Sequence, residues 1–188
     1  MHEFLEILPG VSSMMNIHPM LIHFPIALLS AFLAMELLGF IFKKEDLRTA
    51  ATWMLYLGTL GAMVAVAAGL YAASTVSHSE EVHPIILKHR NLGITVLSLG
   101  VILSIWRIMA GGRFTNKGQL VHLFLALVMV IAMTFGADLG GLMVYKYGVA
   151  VRAVPQPKGH LHGGMMHEEE PGGHLHEGEG QHMMDHEH

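Results

Sequence analysis

The chain has no cysteine among its 188 residues. Disulfides, thiolate metal sites and covalently attached c-type haem are therefore excluded. Charged residues are also scarce, at 14% against 52% hydrophobic residues. The first residues lack the basic segment of a cleavable signal peptide, and no basic patch of the kind that binds nucleic acid occurs. With so few charged residues and so many hydrophobic ones, the chain is too apolar for an ordinary water-soluble domain.

Its apolar residues fall in four long runs, each able to cross a hydrocarbon core of about 30 Å as a helix. The runs are Ile17–Phe42, Ala50–Ser74, Pro84–Met109 and Leu120–Tyr145. They predict an all-α fold, a polytopic membrane four-helix bundle, whose first partner is the lipid bilayer.

Composition divides the chain into three parts. Residues 1–16 read as a short amphipathic lead-in, and residues 17–154 as the transmembrane bundle. Residues 155–188 are rich in His, Met, Gly and Glu and show no apolar periodicity. A segment of that composition cannot bury enough surface to offset its ordering entropy, so we expect a disordered tail.

Orientation follows from the loop charges. We call the side of the N-terminus side A and the opposite side B. Side B connections carry Lys and Arg within residues 43–48 and 107–117, whereas "TVSHSEEVH" on side A carries none. The positive-inside rule then makes side B cytoplasmic. We expect a multi-pass membrane protein with both termini outside, although basic residues also follow the fourth run.

Two segments look alike. "IHPMLIHFPIALLS" and "VHPIILKHRNLGITVLS" each have His-Pro, a few aliphatic residues, a second His and a long apolar stretch. This pattern predicts two parallel helix-pair repeats, related by a pseudo-two-fold axis along the membrane normal. The alternative is that two helices merely begin with proline.

If the repeat holds, His23 and His89 lie at nearly equal depth near side A. Two imidazoles that face each other inside a bundle form a bis-histidine site for haem b. Gly58, Ala62, Ala65 and Gly69 would leave room for it, although such a stripe also serves close helix packing. The sequence therefore favours His23 and His89 as axial ligands.

Other ionisable groups lie within the runs, where they usually mark function. Near side A they are His18, His83, Arg90 and Asp138. We expect His18 or His83 to neighbour or replace a ligand, and Asp138 to pair with Arg90 or to orient a ligand histidine. Toward side B, Glu36 either snorkels or pairs with Arg107, and His122 is expected at the interface.

The motifs "HPMLIHFPIALL" and "GADLGGLMVYKYGVAV" resemble the bacterial membrane-protein family called domain of unknown function 2231, over residues 16–152. The resemblance implies four transmembrane helices and a haem-binding, electron-transfer type of membrane protein. The positions that match are His18, Pro19, His23, Phe24, Pro25, His89, Gly140, Gly141, Val144, Tyr145 and Gly148. The chain departs from the pattern at Tyr147, where the family often has histidine.

The tail concentrates imidazole and thioether groups, which suit Cu, Ni or Zn. Its histidines are His160, His162, His167, His174, His176, His182, His186 and His188. They are interspersed rather than consecutive, unlike a purification tag. We predict a metal-binding tail of modest affinity, because its ligands are not preorganised. The alternative is a solvated tail with no physiological ion.

Three functions stay open at this stage. The first is a haem b-binding electron-transfer subunit with a periplasmic or membrane redox partner. The second is a membrane protein that captures, senses or transports Cu, Ni or Zn. The third is an assembly subunit without a cofactor, and a homo-oligomer is compatible with each. A stand-alone hydrolase or kinase is not expected, since the chain has no nucleophile–base pair and no phosphate-binding glycine loop.

Overall fold

A computed structural model describes residues 14–76, 79–112 and 114–151 of the chain. The described residues form helices and turns, without strands. In chain order the helices are α1 (His18–Leu21), α2 (His23–Phe42), α3 (Glu45–Thr75), α4 (His83–Met109) and α5 (Asn116–Tyr145). Most of the lead-in and the whole tail lie outside the described residues.

Four spans are long and apolar enough to cross a membrane, which confirms the predicted four-helix membrane fold. The first span joins α1 and α2, and α3, α4 and α5 supply the others. The two parts of the first span meet at Ile22, three residues before Pro25. Because proline has no N–H to donate to the preceding turn, an interruption near this point is expected.

The spans pack in a ring in chain order, with α2 diagonally opposite α4 and α3 diagonally opposite α5. The first pair is α1/α2 with α3, and the second pair is α4 with α5. Within the ring, glycine lets helices approach closely. A Cβ on Gly58 would come within 2.7 Å of Leu29 Cδ2, and one on Gly100 within 2.8 Å of Thr59 Oγ1.

Burial follows the same pattern in both pairs, shifted by 71 residues. In α2 the buried residues include Pro25, Leu29, Phe32 and Glu36, and in α4 they are Val96, Gly100, Leu103 and Arg107. In α3 and α5 the buried Ala51, Leu55, Gly58 and Ala65 correspond to His122, Ala126, Met129 and Gly136. The chain therefore contains two helix-pair repeats in the same orientation, as predicted.

The predicted register of the repeat is wrong, however. It aligned His18 with His83 and His23 with His89, whereas the buried positions align His18 with His89. The two His-Pro dipeptides mark where helices begin, and α4 begins six residues earlier relative to its buried face than the first span does. Burial sets the register of a repeat, and proline does not.

Candidate functional site

His18 and His89 meet near side A, at corresponding positions of the two pairs. Their ring centroids lie 6.0 Å apart and their planes are nearly perpendicular, at 88°. His18 is the first residue of α1, where its backbone N–H donates to Asn16 Oδ1 at 3.2 Å. His89 lies in the second turn of α4. Both are half-buried.

Each ring is held by a backbone carbonyl of its own pair. Nδ1 of His18 donates to the carbonyl oxygen of Ala65 at 2.9 Å, and Nδ1 of His89 donates to that of Gly136 at 2.8 Å. Because a carbonyl only accepts, the proton must be on Nδ1 in both rings. In the neutral imidazole, Nε2 then carries a free lone pair. Metal-binding histidines in proteins usually have this arrangement.

A glycine lies one turn after each of these carbonyls and leaves room for the histidine ring to reach it. A Cβ on Gly69 would lie 2.9 Å from Cε1 of His18, and one on Gly140 would lie 3.3 Å from Cε1 of His89. The small residues of α3 therefore leave space for the His18 ring, and Gly136 and Gly140 of α5 leave space for the His89 ring.

Both histidines line one space between the helix pairs. A cleft of about 90 Å³ lies there, with walls from all four spans. Small residues line much of it: Ala62, Ala65, Gly93, Ala132, Gly136 and Ala137. Two imidazoles on opposite sides of one ion, at ~2.0–2.1 Å per metal–nitrogen bond, would have centroids ~6 Å apart. The observed centroid spacing, 6.0 Å, is close to that distance.

His23, the other predicted ligand, does not reach this cleft. It is exposed, four residues before the exposed Ala27, and the residue that faces His89 is His18. The predicted His23–His89 pair is therefore replaced by His18–His89. The physical reason is the register: His23 corresponds to Ile94, on the outer surface of the second pair.

The remaining side A residues surround the cleft without entering it. Arg90 and Asp138 are both exposed, and neither has an ion pair within the described ranges. The predicted role of Asp138 as an acceptor for a ligand histidine is taken by the Ala65 and Gly136 carbonyls. His83 is exposed at the first position of α4.

A second polar cluster lies toward side B. It consists of Glu36, Arg48, Arg107, Gln119 and His122, which we call the side B cluster. Arg107 donates to Glu36 Oε2 at 2.7 Å, to Thr52 Oγ1 at 2.8 Å and to the Arg48 carbonyl at 3.0 Å. Arg48 in turn donates to Gln119 Oε1. The Glu36–Arg107 pair, one of two alternatives for Glu36, is confirmed.

His122 was expected at the membrane interface, and within the bundle it is fully buried. Phe32, Trp106 and Phe114 surround its ring with centroids 6.0, 5.8 and 4.8 Å away. The sequence showed only that His122 opens a helix. Its burial depends on the α4–α5 connection, which brings Phe114 over the ring and could not be read from hydropathy.

The two polar clusters lie at opposite ends of the bundle. Eighteen residues separate His18 from Glu36, and helical rise places them about 27 Å apart. Leu29, Leu55, Leu103 and Met129 fill the space between with apolar side chains that are fully buried. The bundle therefore has a potential ligand site at side A and an ion-pair network at side B.

Comparison with known proteins gives a family but no characterised relative. A family model described as "Predicted membrane protein (DUF2231)" matches residues 14–153. No curated protein and no solved structure matches the chain.

Proposed function

This chain belongs to the DUF2231 family of predicted membrane proteins, and from that premise we propose that it is a membrane electron-transfer protein that holds haem b between His18 and His89. The observation that carries the proposal is that His18 and His89, one from each helix pair, line one cleft while Nδ1 of each ring is bonded to a backbone carbonyl.

The donor set suits haem iron. Two neutral imidazoles are suitable axial ligands, and the 6.0 Å centroid spacing leaves room for one metal ion between the rings. The cleft of about 90 Å³ is smaller than the ~300 Å³ of an ordinary ligand pocket, so the four spans would have to separate there to admit a porphyrin. Gly93 and Gly136 add no side chains to the cleft, so a planar ring such as a porphyrin would meet little obstruction beside them.

The chain's own residues would hold and orient the group. His18 and His89 would supply both ligands, while the Ala65 and Gly136 carbonyls fix the ring tautomers and make each Nε2 more basic. The chemistry that such a group supplies when bound is one-electron transfer. Ligation on both sides favours this over reactions that need an open coordination position.

A bare transition-metal ion is the second candidate, favoured by the cleft's small volume and by Met133. Met133 lines the same cleft, one turn before Gly136 on α5. Two imidazoles with a thioether form a donor set that suits copper. This candidate corresponds to a membrane protein that handles Cu, Ni or Zn, with the histidine-rich tail as its capture segment.

The site belongs to the outer face in this proposal. The basic loops at residues 43–48 and 107–117 would be cytoplasmic, which puts His18 and His89 at the external end of an inner-membrane protein. An electron-transfer partner would then be periplasmic or membrane-bound.

The test is a reduced-minus-oxidised absorption spectrum of the detergent-purified chain, with metal analysis of the same sample. We expect a low-spin haem spectrum that is lost in both His18→Ala and His89→Ala. The matched control is His23→Ala, which changes an exposed histidine one turn away and should keep the spectrum.

A bis-histidine spectrum that survives in His18→Ala would remove His18 as a ligand and end the proposal in this form. A chain without a haem spectrum that retains about one copper ion, lost in the same two variants, would establish the second candidate instead.

A further inference from the structure

Three buried polar atoms of the side B cluster have no hydrogen-bond partner within the described part of the chain. They are Glu36 Oε1, Gln119 Nε2 and His122 Nδ1. The three residues are 1%, 4% and 0% exposed. In a membrane-embedded helix bundle, an unsatisfied polar atom is costly because no solvent replaces the missing bond.

The hydrogen-bonding role of each atom is determined by its neighbour on the same side chain. Gln119 Oε1 accepts from Arg48, and since arginine only donates, Gln119 Nε2 must be the amide donor. His122 Nε2 lies 3.4 Å from the Leu103 carbonyl and donates to it, so Nδ1 is an acceptor. Glu36 Oε2 accepts from Arg107, and Oε1 is a second acceptor. The set is two acceptors and one donor.

These atoms surround one region of the bundle. Gln119 and His122 lie one turn apart on the buried face of α5. The ring of Phe32, one turn before Glu36 on α2, contacts the His122 ring. The Phe114 ring links the same groups, since its centroid lies 4.8 Å from that of the His122 ring and 5.8 Å from the guanidinium carbon of Arg107, which donates to Glu36.

We propose that Glu36, Gln119 and His122 bind one enclosed water molecule, through which Glu36 and His122 can exchange a proton. A water molecule donates two hydrogen bonds and accepts up to two. It would donate to Glu36 Oε1 and to His122 Nδ1, and accept from Gln119 Nε2, so that no polar atom of the three stays unpaired. The proposal is independent of any cofactor at side A.

Charge argues against other small guests. A cation would lie beside the guanidinium groups of Arg48 and Arg107, and would meet the N–H of Gln119. An anion would lie beside the Glu36 carboxylate and the His122 lone pair. Neutral water is the guest whose donors and acceptors fit all three atoms.

The water gives the two titratable groups a proton path. When His122 is protonated, its Nδ1–H passes a proton to the water while the water passes one of its own to Glu36 Oε1. The imidazole and the carboxyl group end neutral and the water is unchanged. Arg48 from α3 and Arg107 from α4 face this site, and Glu45 of α3 is exposed beside Arg48. Glutamate–histidine chains inside membranes are typical proton relays.

The experiment is water-edited solid-state NMR of the full isotopically labelled chain in lipid bilayers. We expect polarisation from water protons to reach the His122 ring and the Glu36 carboxyl group, while the methyl groups of the fully buried Leu55 receive little. Absence of transfer to His122 and Glu36 would overturn the proposal.

A variant gives a second, independent reading. Gln119→Glu keeps an oxygen for Arg48 but turns the only donor into an acceptor. At pH 8 a bound water would then face three acceptors with two protons, so we expect a weaker water signal at His122.

If the site is dry, Gln119→Glu disturbs no bound water, and the water signal at His122 would be the same in both chains. That outcome would contradict the proposal. The control is Glu45→Gln, which alters the exposed partner of Arg48 and should leave the water signal unchanged.

Discussion

Replacing Arg107 by methionine should destabilise the bundle more than any comparable change at its surface. Arg107 is 3% exposed, and its guanidinium is the only described partner of the Glu36 carboxylate, which is 1% exposed. The substitution leaves a charge buried without a counter-ion, and such losses cost about 3–5 kcal/mol. The Thr52 hydroxyl and the Arg48 carbonyl also lose a donor.

Two double variants separate the charge from the other bonds. Glu36→Met with Arg107→Met removes both charges, so most of the stability should return, leaving a deficit of about 1–2 kcal/mol for the lost hydrogen bonds. Exchanging the two residues, Glu36→Arg with Arg107→Glu, should restore the ion pair because the positions correspond in the two repeats. The exchanged arginine would find Leu123 in place of Thr52, so its recovery should also be incomplete.

The assay is reversible unfolding in mixed micelles, followed by the fluorescence of Trp106 in chains that carry Trp53→Phe, because Trp53 is the second tryptophan. That indole packs against the His122 and Phe114 rings, so it reports on the side B cluster. If Arg107→Met changes the free energy of unfolding by less than about 0.5 kcal/mol, the ordinary range for a surface substitution, the Glu36 charge is not buried as described and the reasoning fails.

Three further predictions concern the site, the tail and the orientation. Gly69→Ala should weaken metal or haem binding by about ten-fold or more in a titration, because the new Cβ would lie 2.9 Å from the His18 ring. Gly140→Ala should have a smaller effect, because its Cβ would lie 3.3 Å from the His89 ring. A chain that ends at Pro155 should lose the divalent metal that the tail binds and keep its melting temperature, and in the full chain the tail's binding should weaken as the pH falls through ~6.5, because protonated imidazole does not ligate. Unchanged metal stoichiometry after truncation would contradict the tail prediction. A topology reporter within residues 43–48 should behave as cytoplasmic, and the opposite result would reverse the orientation.

Hydropathy was enough to predict the four spans. The first run was predicted as Ile17–Phe42, and the span is His18–Phe42. The largest difference is at the start of α3, predicted at Ala50 and observed at Glu45. The first turn of that helix is polar, so an apolar run cannot reveal it, although acidic residues there suit the helix dipole.

The candidate site was predicted only in part. His89 was named as a ligand and His18 as its neighbour or substitute, but the pairing was assigned to His23. The dipeptide His-Pro is conspicuous in a sequence, whereas the signal that sets the register is the spacing of residues that face the interior. Pairing His18 with Ala65 and His89 with Gly136 could have been suggested by the two glycines that follow, Gly69 and Gly140.

The relation between the repeats explains why the two polar clusters differ in kind. Corresponding residues of the two pairs come together at both ends of the bundle, His18 with His89 near side A and Glu36 with Arg107 near side B. Two identical charges at the second place would repel inside a low-dielectric interior, so a contact between the repeats there requires opposite charges. Two identical neutral imidazoles do not repel in this way, and they offer equal lone pairs to a guest between them. The unlike residues at side B therefore form an ion pair between the two helix pairs. The like histidines at side A are suited to bind one metal ion between them.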